Sequence, residues 1–411
     1  MLPAQTSFIQ VDGLQFTLAG QPYHPIGANF WYGMDLGASE AGQARLEREL
    51  DRMAALGINN LRIMGASEGP DGEPWRVQPA LQPKPGEFRE EVWVGLDYLL
   101  RAMAQRNMHA VICLGNFWPW SGGFGQYLAW VKGDSIPYPP PQPGGTWATY
   151  MYFSSRFYQN KEAVSLYRSL IHRLLSRTNS LTGVAYKDDP TIMAWQLANE
   201  PRGLEQNRAF LRWVDQSAAL IKSLAPQHLV SIGSEGQTPS KLAGTLFKKA
   251  HQSDYVDYCT MHIWPENWGW YDPLKPQESF PKVLEKAQQY VDAHQKIAGR
   301  IGKPLVLEEF GMARDQRDMG DDSSTEFRDQ FYGFLLEQVH QSVRGEAALQ
   351  GLNFWAWGGE GRPREAGGFW QKGDDFIGDP AHEEQGWYSV YNSDRSTQEL
   401  IWQWIQTIQR E

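Results

Sequence analysis

Two glutamates each stand at the end of a short apolar run. Leu305-Val306-Leu307 leads into Glu308-Glu309-Phe310-Gly311, and Ile192-Met193-Ala194-Trp195-Gln196-Leu197-Ala198 leads into Asn199-Glu200-Pro201. Runs of this length and composition read as buried strands. A carboxylate is costly to bury unpaired, so two of them closing buried strands predict a pair facing one cleft. The alternative is that both cap strands or bind nearby arginines. Two carboxyl groups, one protonated and one ionised, suit the cleavage of a glycosidic bond. Asn29, Arg62, Asn199, Glu235 and His262 also sit at strand ends. Singly each has a structural reading, Arg62 as a salt-bridge partner and His262 as a satisfied core histidine. Their joint position at one end of one sheet predicts an active site.

The elements that must position these residues alternate. Strands are expected at 25–31, 58–64, 110–114, 192–197, 229–232, 255–262, 305–307 and 352–357. Helices are expected at 44–56, 88–105, 164–175, 210–224, 242–250, 283–297, 327–339 and 400–408. Leu46, Leu50 and Met53 share one helix face, as do Val92, Leu96, Leu99 and Met103. Short apolar strands alternating with amphipathic helices imply an α/β fold with a parallel sheet. Eight such units fit a closed (β/α)8 TIM barrel. An open doubly wound sheet would favour a glycine-rich phosphate loop after its first strand, and Gly27-Ala28-Asn29 does not match one. Residues 8–23, turning at Asp12-Gly13, read as a short N-terminal β-hairpin over the closed end. The whole of 1–411 reads as a single catalytic domain, with 1–23 the cap and 24–411 the barrel.

Long connections follow the second, third, sixth and eighth strands, at 65–87, 115–159, 263–280 and 358–397. All leave C-terminal strand ends, the active face of a barrel. They carry many of the 18 tryptophans, including Trp75, Trp118, Trp120, Trp130, Trp264, Trp268, Trp270, Trp370 and Trp387. Aromatics around one mouth suit flat, polar-edged ligands such as sugars, and about half are expected only to anchor loops. Trp355 and Trp357 fall on one face of the last strand and are both expected to point inward.

A formal net charge of -10 argues against nucleic acid and against an anionic membrane surface. No apolar run reaches transmembrane length. Cys113 and Cys259 read as buried free thiols, and no Cys/His cluster suggests a zinc site. Neither cofactor nor metal is expected. Asp374, Asp375 and Asp379 form an acidic cluster that reads as a charged surface loop rather than a cation site. Met1-Leu2-Pro3-Ala4-Gln5 is not a signal peptide. The expectation is a cytoplasmic protein if Met1 is the native start, and a secreted or periplasmic one if a leader was removed. A monomer is expected.

The motifs also resemble a known family. Asn199-Glu200-Pro201, Glu309-Phe310-Gly311, Leu61-Arg62-Ile63 and His262-Ile263-Trp264 are similar to glycoside hydrolase family 5, of clan A. Gly27-Ala28-Asn29-Phe30-Trp31, Trp118-Pro119-Trp120-Ser121-Gly122-Gly123, Ser234-Glu235-Gly236 and Gly386-Trp387-Tyr388-Ser389-Val390-Tyr391 resemble its β-mannanase branch. The resemblance implies that Glu200 is the acid/base and Glu309 the nucleophile of a retaining mechanism. Arg62 and His262 would support Glu309. Asn199 would contact the sugar 2-hydroxyl, Trp355 would stack beneath that sugar, and Trp264 would line the same site. Asn29, Trp31, Trp118, Glu235 and Trp357 would complete the binding and supporting set. The implied substrate is β-1,4-mannan or manno-oligosaccharide. A β-1,4-glucanase and a non-catalytic carbohydrate-binding barrel are the rivals, and endo versus exo action stays open. Arg362, Arg364 and His382 are candidate grips for a chain end, with a solvated loop the simpler reading. The pleat predicts that Glu308 faces away from Glu309, toward the helical layer or a neighbouring loop.

Overall fold

The computed structural model describes residues 7–411. The reading of Met1 to Gln5 lies outside them. The described chain opens with a small antiparallel sheet, β1 (Ile9–Asp12), β2 (Gln15–Leu18) and β3 (Gln21–Pro22). The expected hairpin is therefore three-stranded, with Gly13 at φ +60° in its first turn. Ile9, Phe16 and Tyr23 pack against Val111, Met193, Leu229, Tyr258 and Val306. These partners are barrel-strand residues or lie just before a strand, so the sheet caps the barrel as expected.

The barrel strands are β4 (Ile26–Asn29), β5 (Asn60–Met64), β6 (His109–Cys113), β7 (Ile192–Gln196), β8 (Leu229–Ser231), β9 (Cys259–Ile263), β10 (Leu305–Phe310) and β11 (Leu349–Phe354). They pair in parallel in the order β8-β7-β6-β5-β4-β11-β10-β9. The seam between β8 and β9 is joined by the amide of Asp257 donating to Val230 O at 2.8 Å and the amide of His262 donating to Glu235 O at 2.9 Å. The result is the expected (β/α)8 barrel.

Around it lie α1 (Gly33–Leu36), α2 (Glu40–Ala55), α3 (Glu90–Ala104), α4 (Gly123–Lys132), α5 (Trp147–Ser155), α6 (Lys161–Leu175), α7 (Asn207–Leu224), α8 (Phe247–His251), α9 (Pro276–Ile301), α10 (Glu326–Arg344) and α11 (Arg395–Ile408). Leu46, Leu50 and Met53 of α2 and Val92, Leu96, Leu99 and Met103 of α3 are buried, as their spacing requires. Two further short strands, β12 (Trp357–Gly359) and β13 (Val390–Tyr391), pair inside the last connection.

Three differences from the sequence pattern matter. The 115–159 connection contains α4 and α5, which glycines and a proline-rich stretch hid from a periodicity argument. The helix expected at 242–250 is only the short α8, because Gly244 takes a left-handed φ of +63° before it. The strand expected at 352–357 ends at Phe354, and Trp357 opens β12.

Candidate active site

β7 ends at Gln196, and the chain beyond it remains tied to its neighbours. The amide of Asn199 donates to Gly115 O at 2.8 Å and that of Glu200 to Gly233 O at 3.0 Å. Glu200 itself has φ +50°. Pro201 disfavours the right-handed helical region for the residue before it, and a non-glycine residue held left-handed marks a site where the surroundings overrule local preference. The turn places the Glu200 carboxyl on the cleft wall.

β10 carries a bulge. Leu307 pairs with Met261 and Glu309 with His262, so two residues of β10 span one step of β9. The bulge cancels the alternation of the pleat. Glu308 and Glu309 therefore both reach Arg62, Glu308 Oε2 at 3.8 Å from Nε and Glu309 Oε1 in direct contact with the guanidinium. The expectation that Glu308 faces the helical layer or a loop is corrected. Its carboxylate lies within the barrel, bound by Gln196 Nε2 at 2.6 Å and the Tyr258 hydroxyl at 3.2 Å. Gly311, two residues past Glu309, has no room for a side chain, because a Cβ there would stand 2.8 Å from Trp264 and 3.0 Å from Tyr388.

Arg62 organises the floor. Its guanidinium donates to Gln196 Oε1 at 2.8 Å, to Asn29 Oδ1 at 3.0 Å, to Asn199 Oδ1 at 2.8 Å and to Glu309. His262 Nδ1 lies 2.7 Å from Glu200 Oε1 and 3.2 Å from Glu309 Oε2. Trp118 Nε1 donates to the other oxygen of Glu200 at 2.6 Å. Burial would by itself raise the Glu309 pKa, but the His262 and Arg62 charges outweigh it and hold the carboxyl below its usual range. Burial would likewise lower the His262 pKa, yet Glu309 and Glu200 bring it up to about 9. Set between the two glutamates, His262 thus keeps its proton to higher pH than a free imidazole. One oxygen of Glu200 and one of Glu309 lie within 4.8 Å of each other. That fits the spacing of about 5–5.5 Å for a retaining pair and not the 6.5–9.5 Å that an inverting pair needs for its water. The same three residues have a spacing that would admit a metal ion, and His262 Nδ1 faces both carboxyl groups.

The other expected residues divide. Trp118, Asn199, Glu235, Trp264 and Trp355 line the cleft with the two glutamates. Glu235 is held by Arg202 through two contacts of 2.6 Å, and its carbonyl fixes the His262 amide. Burial raises the Glu235 pKa against the Arg202 charge. Asn29 and Trp31 lie behind the surface. Asn29 Nδ2 donates to Glu308 O at 2.8 Å, and Trp31 Nε1 donates to Gly378 O at 2.8 Å. Trp357 is not at the site. It is buried against α2, its Nε1 donating to Glu49 Oε2 at 3.0 Å, because β11 ends before it.

Of the loop aromatics, Trp118, Trp120, Trp264, Trp268 and Trp387 line the cleft, while Phe124 and Tyr127 pack among Phe157, Tyr167 and Trp213. Arg362 is spent on Asp321, Asn392 and loop carbonyls, and Arg364 on Asp374. His382 does line the cleft. Asp379 is not part of a charged surface as expected: it is buried, accepts from Ser389, Gly386 and Tyr388, and anchors its loop from within. Cys113 and Cys259 are free and buried, as expected. The sequence reading missed Arg202, Asn267, Arg317, Glu383 and Glu384, which line the cleft, and Asn116, whose Oδ1 accepts from Asn199 Nδ2 at 3.2 Å. Arg202 stands two residues after Glu200, and that proximity was its only signal.

The cleft has a volume of about 870 Å³, ample for an oligosaccharide. Residues 6–411 match the family model described as GH family 5 beta-mannosidase-like. The chain belongs to that family. A crystal structure of a glycoside hydrolase family 5 mannosidase from Rhizomucor miehei is 41% identical, with a TM-score of 0.91 over 99% of each chain. A mutant of that enzyme in complex with mannosyl-fructose is 40% identical, with a TM-score of 0.89 over 99% of this chain and 98% of that one. Mannan endo-1,4-beta-mannosidase 1 of Oryza sativa subsp. japonica is 29% identical over 364 residues, 85% of this chain and 78% of its own. As a family 5 member this chain is a glycoside hydrolase, and its close carboxyl pair accords with a retaining mechanism. No helix among the described residues is long and apolar enough to cross a membrane.

Proposed function

We propose that this family 5 enzyme is an exo-acting β-mannosidase that removes single mannose units from the non-reducing end of β-1,4-manno-oligosaccharides. Glu309, ionised, attacks the anomeric carbon while Glu200 gives its proton to the leaving oxygen. Glu200 then takes a proton from water, which attacks the same carbon and frees Glu309. Arg62 and His262 offset the charge on the nucleophile, and Trp355 floors the sugar.

One observation carries the exo reading. The leaving group must lie on the Glu200 side, so further sugars of the glycone would run from Trp355 toward the loops after β4 and β5. No described residue of those loops lines the cleft. That sector is filled by the connection after β11. Gly378 O accepts from Trp31, Phe376 stacks on Tyr32 with ring centroids 5.9 Å apart, and Trp31 packs on Trp120 at 5.3 Å. Farther out the Trp147 and His382 rings meet at 6.0 Å, joining the two long loops. On the acid/base side the cleft is lined by Arg202, Thr238 and Ser240. The mannosidase named among the structural relatives supports this reading, and the endo-acting names among the sequence relatives support only the linkage.

A timed product profile on mannohexaose and cellohexaose tests it. Mannose with mannopentaose from the earliest time is expected, with little cleavage of cellohexaose. Mixed-length products at once would make the enzyme endo-acting.

A further inference from the structure

Glu308 lies directly beneath the reacting pair and has no step in the hydrolysis. It is 1% exposed and does not line the cleft. A buried carboxylate that neither touches substrate nor closes a tight ion pair is costly, so its presence calls for a reason. The bulge that turns Glu309 toward the sugar also turns Glu308 into the barrel. There it meets donors only. Gln196 Nε2 is at 2.6 Å, the Tyr258 hydroxyl at 3.2 Å and Arg62 Nε at 3.8 Å. Burial raises the Glu308 pKa, and the Arg62 and His262 charges and the Gln196 and Tyr258 hydrogen bonds only oppose that rise. Gln196 is fixed in turn by Ser231 Oγ at 3.0 Å, and its Oε1 receives Arg62 Nε and the Cys113 thiol.

We propose that Glu308 is a positioning residue for the nucleophile, holding Gln196 so that its Oε1 aligns the Arg62 guanidinium against Glu309. Held by Gln196, the guanidinium keeps the orientation in which it contacts Glu309. The inference rests on Glu309 being the nucleophile. The other ionisable groups around Glu309 are His262 of β9, Glu200 beyond β7, Glu235 with Arg202 beyond β8, Cys113 of β6 beside Arg62, and Glu383 in the connection after β11. Glu308 is the carboxylate among them that shares Arg62 with Glu309.

The test is the pH dependence of inactivation by 2-deoxy-2-fluoro-β-mannosyl fluoride, measured on the intact protein and on Glu308→Gln. In that reaction the bond from C1 to fluorine breaks, fluoride leaves with the electron pair, and a Glu309 oxygen bonds to C1. Fluoride needs no proton from Glu200, so the acid limb reports the nucleophile. Peptide mapping locates the label. The expected result is label on Glu309 in both proteins, with the acid limb displaced to higher pH in Glu308→Gln by on the order of one unit, as loosening of the Arg62 charge beside Glu309 requires. Label on Glu309 with an unmoved limb would overturn the proposal and leave Glu308 a packing residue. Label on another residue would overturn the nucleophile assignment itself, and this proposal with it. If Glu308→Gln does not fold, Tyr258→Phe removes one donor to Glu308 and should move the limb in the same direction by less. An unmoved limb there would also overturn the proposal.

Discussion

Glu200 and Glu309 share one donor: His262 Nδ1 stands 2.7 Å from an oxygen of the first and 3.2 Å from an oxygen of the second. The pair is thus asymmetric. Glu309 adds the Arg62 guanidinium, and Glu200 adds only the indole of Trp118. The carboxyl beside two cations is the one suited to stay ionised and attack. The one facing the open side is placed to pass a proton.

That asymmetry predicts different mutants. Glu309→Gly should lose hydrolysis altogether. Glu200→Ala should lose about 10²–10⁴-fold in turnover, the usual worth of a general acid/base. Azide should accelerate the second variant on activated substrates and yield β-mannosyl azide, because the covalent intermediate still forms. Steady-state kinetics and product analysis check both.

His262 should make stability depend on pH. Its folded pKa of about 9 lies above the ordinary 6.5. The stabilisation is complete below pH 6.5 and is lost as pH rises through 9. The shift corresponds to on the order of 3 kcal/mol. Urea unfolding of the intact protein and of His262→Asn, compared from pH 6 to 9.5, should show a difference that shrinks toward alkaline pH.

Trp355 and Trp357 should differ in their kinetics. Trp355→Ala removes the proposed sugar floor and should impair turnover, and because the indole is buried against Trp120 and Trp264 it should lower Tm as well. Trp357→Phe breaks the bond to Glu49 and should cost about 1–3 kcal/mol of stability while leaving KM unchanged. Thermal melts beside kinetics separate the two roles.

The wall after β11 should set product size. Replacing residues 371–384 by a short turn should uncover Trp31 and let mannobiose appear beside mannose. Chromatography of early mannohexaose digests reads this out.

The barrel was legible because its strands are short apolar runs and its helices amphipathic, patterns fixed by burial alone. Glu200, Glu309, Arg62 and His262 were legible because charged residues at the ends of buried strands have few structural uses. Glu308 was misplaced because alternation assumes a regular strand, and the bulge is set by pairing with β9. Trp357 was misplaced for a related reason, since β11 stops where the apolar pattern continues. His382 was named as a candidate but could not be separated from its solvated-loop alternative. Its position depends on contacts between connections far apart in sequence, such as Trp147 with His382.

The central claim is double displacement at the Glu200–Glu309 pair, and the stereochemistry of the first product tests it most directly. Proton NMR would follow hydrolysis of mannotriose from the first minutes. The account predicts β-mannose first, with the α anomer rising later by mutarotation. α-Mannose as the first product would mean inversion and would contradict it.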